Sequence, residues 1–428
     1  AYDRVEGTRT TMTARYGSAF RPAVSPDGKW LAFGSRFDEK TGLRLRDLVT
    51  GDERWIAYPI QRDNMEAQIE TDALPGYDFT PDGKAIVISY GGEIWRVPVD
   101  GSAAAKIPFT ADVDIAIGPE VKFQYPILDT PSFVARQIRD AVPSPDGKRI
   151  VFSALGDIHV MDLPSGTPRR VAGAPEGEFF PTWSPDGQWI AYVTWSDAGG
   201  HINKVRADGR GQPVRLTREV ATYQNTAWSP DGRRIVALQA DARELQETVQ
   251  RFGGGQASRF VWVGAEGGAV NRIRAAGDYD DPHFTADSTR IFAYNGAEGL
   301  VSFRWDGSDV KAHVRVTGTA APGGGTAPAA SRVRMAPRGD LALAQVGSDF
   351  YTVTVPMIGG ATPVVSVATP DNAPTPVRRL SDIGGEFPAW GPNGRVVHWS
   401  IGNAFVTYDV DRAKVHEDSV RAARSTSY

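Results

Sequence analysis

Short apolar alternations separated by turn residues run the length of the chain. FFPTW (179–183) precedes the polar break SPDGQ, and WIAYVTW (189–195) follows it, both with the period of two that marks strands. Further alternating runs come at EIWRVPV (93–99), DIHVMDL (157–163) and FVWVGA (260–265), and shorter ones at RRVAG (169–173) and PVRLT (213–217). The pattern predicts units of four strands: a short first strand, a tight turn, a strongly apolar second strand, then a third and a fourth. Helical spacing is expected at 241–258, with Asp241 and Glu244 as a capping pair, Leu245, Val249 and Phe252 on one side, and Gly253 to Gly255 ending it.

The tight turn recurs. SPDGKWLAF at 25 returns as TPDGKAIVI at 80, SPDGKRIVF at 144, SPDGQWIAY at 184 and SPDGRRIVA at 229. Weaker copies are TADSTRIFA at 285, APRGDLALA at 336 and GPNGRVVHW at 391. Repeats of such length and strand content predict blades of a β-propeller. The expected fold is therefore all-β, a propeller of four-stranded antiparallel blades over residues 1–410, eight blades favoured and seven the alternative, with 411–428 a tail or linker. Within the motif Pro presets φ, Asp tolerates the turn and Gly takes positive φ. The acid is a turn residue rather than a catalytic one: Asp287 keeps it without Pro or Gly, and the last two repeats keep Pro and Gly without it. The eighth unit lacks a clear fourth strand, and TRTTMTAR (8–15) has no unit of its own, so pairing of the two is expected to close the ring.

Long insertions cluster on one side. Residues 58–77, 111–140 and 318–332 join fourth strands to the next first strand, and 241–258 joins a second to a third, so all four lie at the same end of their blades; the Pro-rich stretch 357–376 is the exception. Loops on a rigid scaffold commonly carry binding. The candidate binding residues on that side are Arg62, Asp63, Glu66, Arg136, Arg139, Trp195, Asp197 and Arg251.

Composition narrows the chemistry. The 51 acidic and 47 basic residues are spread without long runs, which argues against a nucleic-acid partner, and no apolar run approaches a membrane span. With no cysteine, disulfides, thiolate metal sites and a cysteine nucleophile are excluded. Nucleophile-elbow, zincin and phosphate-loop patterns are absent, and the six histidines are scattered. Catalytic residues and cofactors are therefore not expected in this chain. DYDDPHF (278–284) is the densest cluster of acids: Asp278, Asp280 and Asp281 are weak candidates for a hard cation. The chain begins at Ala1 without an initiator Met or signal peptide, as a processed or excerpted chain would.

The repeat, with its following I-H-V-M-D-L and R-L-T strands, resembles TolB-like propellers, found in periplasmic TolB and in noncatalytic domains of prolyl-oligopeptidase and tricorn-type peptidases. TGLRLRDLVTGDERWIAYPIQRD (41–63), LPGYDFTPDGKAIVISYGGEIWRV (74–97) and YVTWSD (192–197) are similar to the propeller region of large secreted bacterial proteins in which such repeats precede an amidohydrolase domain. The resemblance implies a periplasmic or extracellular location and either a protein partner or a covalently linked catalytic domain. AYDRVEG resembles the end of a third strand, which implies further repeats upstream; the amidohydrolase metal ligands have no counterpart here. Three functions follow as expectations: a noncatalytic interaction or gating module, the accessory part of a metal-dependent amidohydrolase, or a propeller enzyme with a channel site.

Overall fold

The computed structural model describes residues 2–13, 17–38, 40–62, 74–118, 130–242, 258–320, 325–356 and 360–426. Eight antiparallel sheets follow one another along the chain, one for each repeat. Two compact units are present: Ala1–Thr130 holds the first two sheets, and Pro131–Leu245 with Phe252–Tyr428 holds the other six. The helix expected at 241–258 falls mostly outside the described residues.

The repeated turn explains why each sheet starts as it does. In the fourth sheet Ser184 Oγ donates to Asp186 Oδ1 at 2.5 Å and accepts from Trp189 N–H at 2.9 Å. Asp186 Oδ1 also accepts from Gln188 N–H at 3.0 Å, and Gly187 sits at φ +68°. Ser25, Ser144 and Ser229 make the same bonds. The motif is thus a backbone-satisfying device in which the serine, not only the aspartate, holds the hairpin closed.

Second strands such as Trp189–Trp195 are buried along nearly their whole length. Both of their faces must therefore be covered, and neighbouring sheets cover them. In unit 2, Val151, Val160, Trp183 and Tyr192 fuse the third sheet to the fourth. Comparable clusters join fourth to fifth, fifth to sixth, sixth to seventh and seventh to eighth. A further cluster packs Ile138, Ile150 and Phe152 of the third sheet against Phe405 of the eighth. Ile138 N–H donates to Gly402 O at 3.0 Å, and Asn403 Nδ2 to Ala135 O at 3.0 Å. The last sheet of unit 2 therefore meets its first, and these six sheets close a propeller ring. In unit 1 the two sheets share a core built on Leu43, Leu45, Ile86 and Ile88.

The eight repeats form the eight sheets expected, and within unit 2 its six sheets close on one another. Contacts between sheets distant in sequence decide this, and repeat spacing does not carry them. Within unit 1 Arg9 pairs back on Tyr2; within the eighth sheet strand Ala404–Asp409 pairs with Val396–Ile401. The tail forms the helix Val410–Thr426. Asp409 caps it by accepting from Arg412 N–H at 2.9 Å, Val410 is buried, and Arg378 pairs with Glu417 at 2.5 Å. The Pro-rich insertion contributes Val364–Ser366, a fifth strand parallel to Lys311–Thr317.

Candidate functional site

First strands line the centre of a propeller, and here they carry a recurring irregularity. Register shifts interrupt the first strands of the third, fourth, fifth, sixth and eighth sheets. At each shift one residue takes a left-handed conformation: Asp140, Phe180, Asn225, Asp281 and Phe387, with φ between +50° and +57°. Such bulges re-aim a side chain. In the seventh sheet Arg332 holds the same place, four residues ahead of the turn, without a shift.

These six residues surround a cavity of about 440 Å³ within unit 2. Two residues nearer the turn, Val142, Thr182, Ala227, His283, Arg334 and Ala389 line a second level. The turn residues Pro145, Pro185, Pro230, Ala286, Pro337 and Pro392 line the far end. The channel is therefore polar at the bulges and apolar at the turns. Bonds between adjacent sheets hold its wall: Trp183 Nε1 donates to Val142 O at 2.9 Å, Thr226 Oγ1 to Phe180 O at 2.7 Å and Trp390 Nε1 to Arg334 O at 3.1 Å.

The ionisable groups at the polar level are largely committed to one another. Asp281 is buried, and its Oδ2 lies 3.3 Å from Arg334 Nε and 3.9 Å from Arg332 Nε. Burial disfavours its charge, but the two guanidiniums outweigh this and hold its carboxyl below the usual range. Asp281 in turn raises the pKa of Arg332. Met335 N–H donates to His283 Nε2 at 2.8 Å, so the ring proton sits on Nδ1 and is donated to Asp281 O at 2.8 Å. Burial, reinforced by Arg334, depresses this histidine to about 4. Asp280 accepts from Asn225 Nδ2, and burial with the Asp281 charge pushes its carboxyl up; it keeps contact with water while protein atoms crowd it. Asp140 makes no hydrogen bond or ion pair among the described residues, and burial raises its carboxyl against the pull of Arg332, Arg334 and Arg139.

The sequence candidates disperse. Arg139 is exposed with its guanidinium 6.0 Å over the ring of Phe387, a lining residue, but does not itself line the cavity. Arg136 is exposed, Trp195 is half-buried at the end of its strand opposite Gly177, and Asp197 is exposed; none lines the cavity. Arg62 ends the strand Glu53–Arg62 opposite Lys40. Asp63, Glu66 and Arg251 lie outside the described residues. Of the cation candidates, Asp281 lines the channel, Asp280 binds Asn225 and Asp278 is exposed. No group of three or more His, Asp or Glu placed to hold a metal occurs among the described residues. Asp140, Phe180, Asn225, Arg332, Arg334 and Phe387 were missed. A signal was present: the dipeptides Phe180-Pro181, Asp281-Pro282 and Phe387-Pro388 stand at a constant offset before the turns.

The repeated S-P-D-G hairpins and the closed circuit of antiparallel sheets around a channel decide the fold. The chain folds as a β-propeller. Protein-family models give no match. An uncharacterized protein of Agrobacterium fabrum is 26% identical over 261 residues, which span 58% of this chain and 77% of that protein. Among solved structures, a TolB of Agrobacterium tumefaciens is similar at 20% identity and a TM-score of 0.31, over 67% of this chain and 91% of its own. TolB of Acinetobacter baumannii is similar at 18% identity and a TM-score of 0.28, over 70% of this chain and 55% of its own. Oligogalacturonate lyase of Vibrio parahaemolyticus is similar at 11% identity and a TM-score of 0.42, over 64% of this chain and 89% of its own. No helix among the described residues is long and apolar enough to cross a membrane.

Proposed function

We propose that this TolB-like propeller is a noncatalytic module that docks a protein partner at the channel of unit 2, in the periplasm or outside the cell. One observation carries the reading: His283, Asp281 and the two arginines are committed to one another, and Asp140 is the cavity carboxyl that makes no hydrogen bond or ion pair among the described residues. Both nitrogens of His283 are engaged, and Asp281 is bound to two guanidiniums. A general base needs a free lone pair within reach of a substrate proton; His283 offers none, and Asp281 is held as a buried anion between two guanidiniums. What remains is a preshaped cavity with Phe180 and Phe387 beside polar groups, the mixture that suits recognition of a polypeptide segment.

A photo-crosslinking residue placed at Thr182, inside the channel, tests this in the producing cell. The expected product is one discrete adduct, identified by mass spectrometry, that does not form when the same residue is placed at the exposed Val310. No adduct at Thr182, or turnover of a substrate by this chain that disappears in Asp140→Asn, would overturn the proposal.

A further inference from the structure

Arg332 and Arg334 are the unusual pair in the channel. Both line the cavity, each side chain about a quarter exposed (28% and 25%), and both approach the same carboxylate oxygen of Asp281 through Nε. Among the described residues the terminal Nη groups of both make no hydrogen bond. Asp281 is thus a buried carboxylate that draws both guanidiniums from the Nε side by charge, its Oδ2 accepting no hydrogen bond, and leaves their Nη groups toward the cavity. Arginine forks bind carboxylates and phosphates through parallel N–H···O bonds, and anchoring lowers the ordering cost of making them.

The surroundings fit an anionic guest. His283, at the level of Arg334, has both nitrogens committed to Asp281 O and Met335 N–H, so it does not compete for the forks. Asp140, one ring place beyond Phe387 and close enough to feel both arginines, makes no hydrogen bond or ion pair among the described residues; burial holds its proton more tightly than in an ordinary carboxyl, so it can give up its charge to a negative neighbour. Phe387 occupies the ring place between Arg332 and Asp140, an apolar surface for the stem of the incoming group.

We propose that the channel of unit 2 seats a carboxylate on the paired forks of Arg332 and Arg334, delivered by the docking partner as an acidic side chain or a free chain end. This rests on the docking reading above and specifies its chemistry. Asp281 acts as a positioning residue, holding both guanidiniums without touching the guest.

The test is calorimetric titration of the full chain with three short peptides: acetyl-Gly-Gly-Glu-Gly-Gly-amide, its Gln counterpart, and the Gln peptide with a free C-terminal carboxylate. Binding of the Glu peptide or the free-acid peptide at least about tenfold tighter than the neutral one is expected, and which of the two binds identifies the source of the carboxylate. Arg334→Lys keeps the charge but removes the fork, and should bring the charged peptide to within about threefold of the neutral one. Asp281→Asn should weaken binding while both arginines remain. Thermal unfolding of each variant establishes that the fold persists. Equal affinity for all three peptides, or an unchanged affinity in Arg334→Lys, overturns the inference. No peptide binding alongside a channel adduct at Thr182 also overturns it and leaves the docking reading standing. Tight carboxylate binding without any adduct supports the anion site and removes the docking reading.

Discussion

Lowering the pH from about 7.5 to about 4.5 should destabilise unit 2 through His283, and the size of the effect follows from its surroundings. In the folded chain the imidazole is neutral because Nε2 accepts from Met335 N–H and Nδ1 donates to Asp281 O. Protonating Nε2 would break the link to Met335 and place a cation beside Arg334. The folded pKa of about 4 lies below the 6.5 of a free imidazole, so the unfolded chain takes up the proton first. The stability this histidine contributes is therefore full above pH 6.5 and is lost as the pH falls from 6.5 through about 4, a difference of roughly 3 kcal/mol. His398, also buried and depressed to about 4, acts in the same direction. Asp140 and Asp280, raised by burial, act in the opposite direction and regain stability as they protonate, which is why total acid sensitivity alone does not isolate His283. The comparison that isolates it is between the wild type and His283→Gln, by urea unfolding followed through tryptophan fluorescence at both pH values. The wild type should lose about 2 kcal/mol more than the variant over this range, the rest of the effect appearing only below the folded pKa. Equal losses would refute the assignment of a neutral, doubly engaged imidazole.

Three further substitutions probe the scaffold. Ser184→Ala removes the acceptor of Trp189 N–H in a buried turn and should cost about 1–3 kcal/mol by urea denaturation, with Asp186 unable to compensate from its place in the turn. Trp183→Phe keeps the ring but loses the bond to Val142 O between the third and fourth sheets, a cost of about 1 kcal/mol in the same assay. Gly200→Ala would put a methyl group 1.7 Å from Thr194 O, and soluble yield with circular dichroism should show a loss of folding well beyond that of either other variant.

The strands and turns were legible in the sequence because each is written locally. Alternation marks Trp189–Trp195, and the order of Ser, Pro, Asp and Gly determines how the hairpin before it satisfies its backbone. The closure was not legible. Phe405 meeting Ile150 and Phe152 is a contact between the two ends of unit 2, and repeat spacing is the same whether six units close or eight. The channel was half legible: the dipeptides before Pro181, Pro282 and Pro388 recur at a fixed place, but only the left-handed bulge turns Phe180, Asp281 and Phe387 inward. Arg332 and Arg334 carried no local mark, since their pairing depends on Asp281 from the preceding sheet. Choosing binding residues by loop length favoured the insertions and passed over the inner strands. The helix Val410–Thr426 was missed because its polar face lacks an apolar stripe, although Asp409 and the Ala, Arg and Lys content that follows suit a capped helix.

Hydrogen exchange of the intact chain, followed by mass spectrometry with and without the partner recovered at Thr182, tests the central claim most directly. The account predicts added protection on Arg139–Pro143, Gly177–Trp183, Asp280–His283, Arg332–Met335 and Glu386–Trp390, strongest around the bulges. Protection confined to outer strands such as Val214–Arg215 or Lys311–Thr317, with the inner strands unchanged, would contradict it.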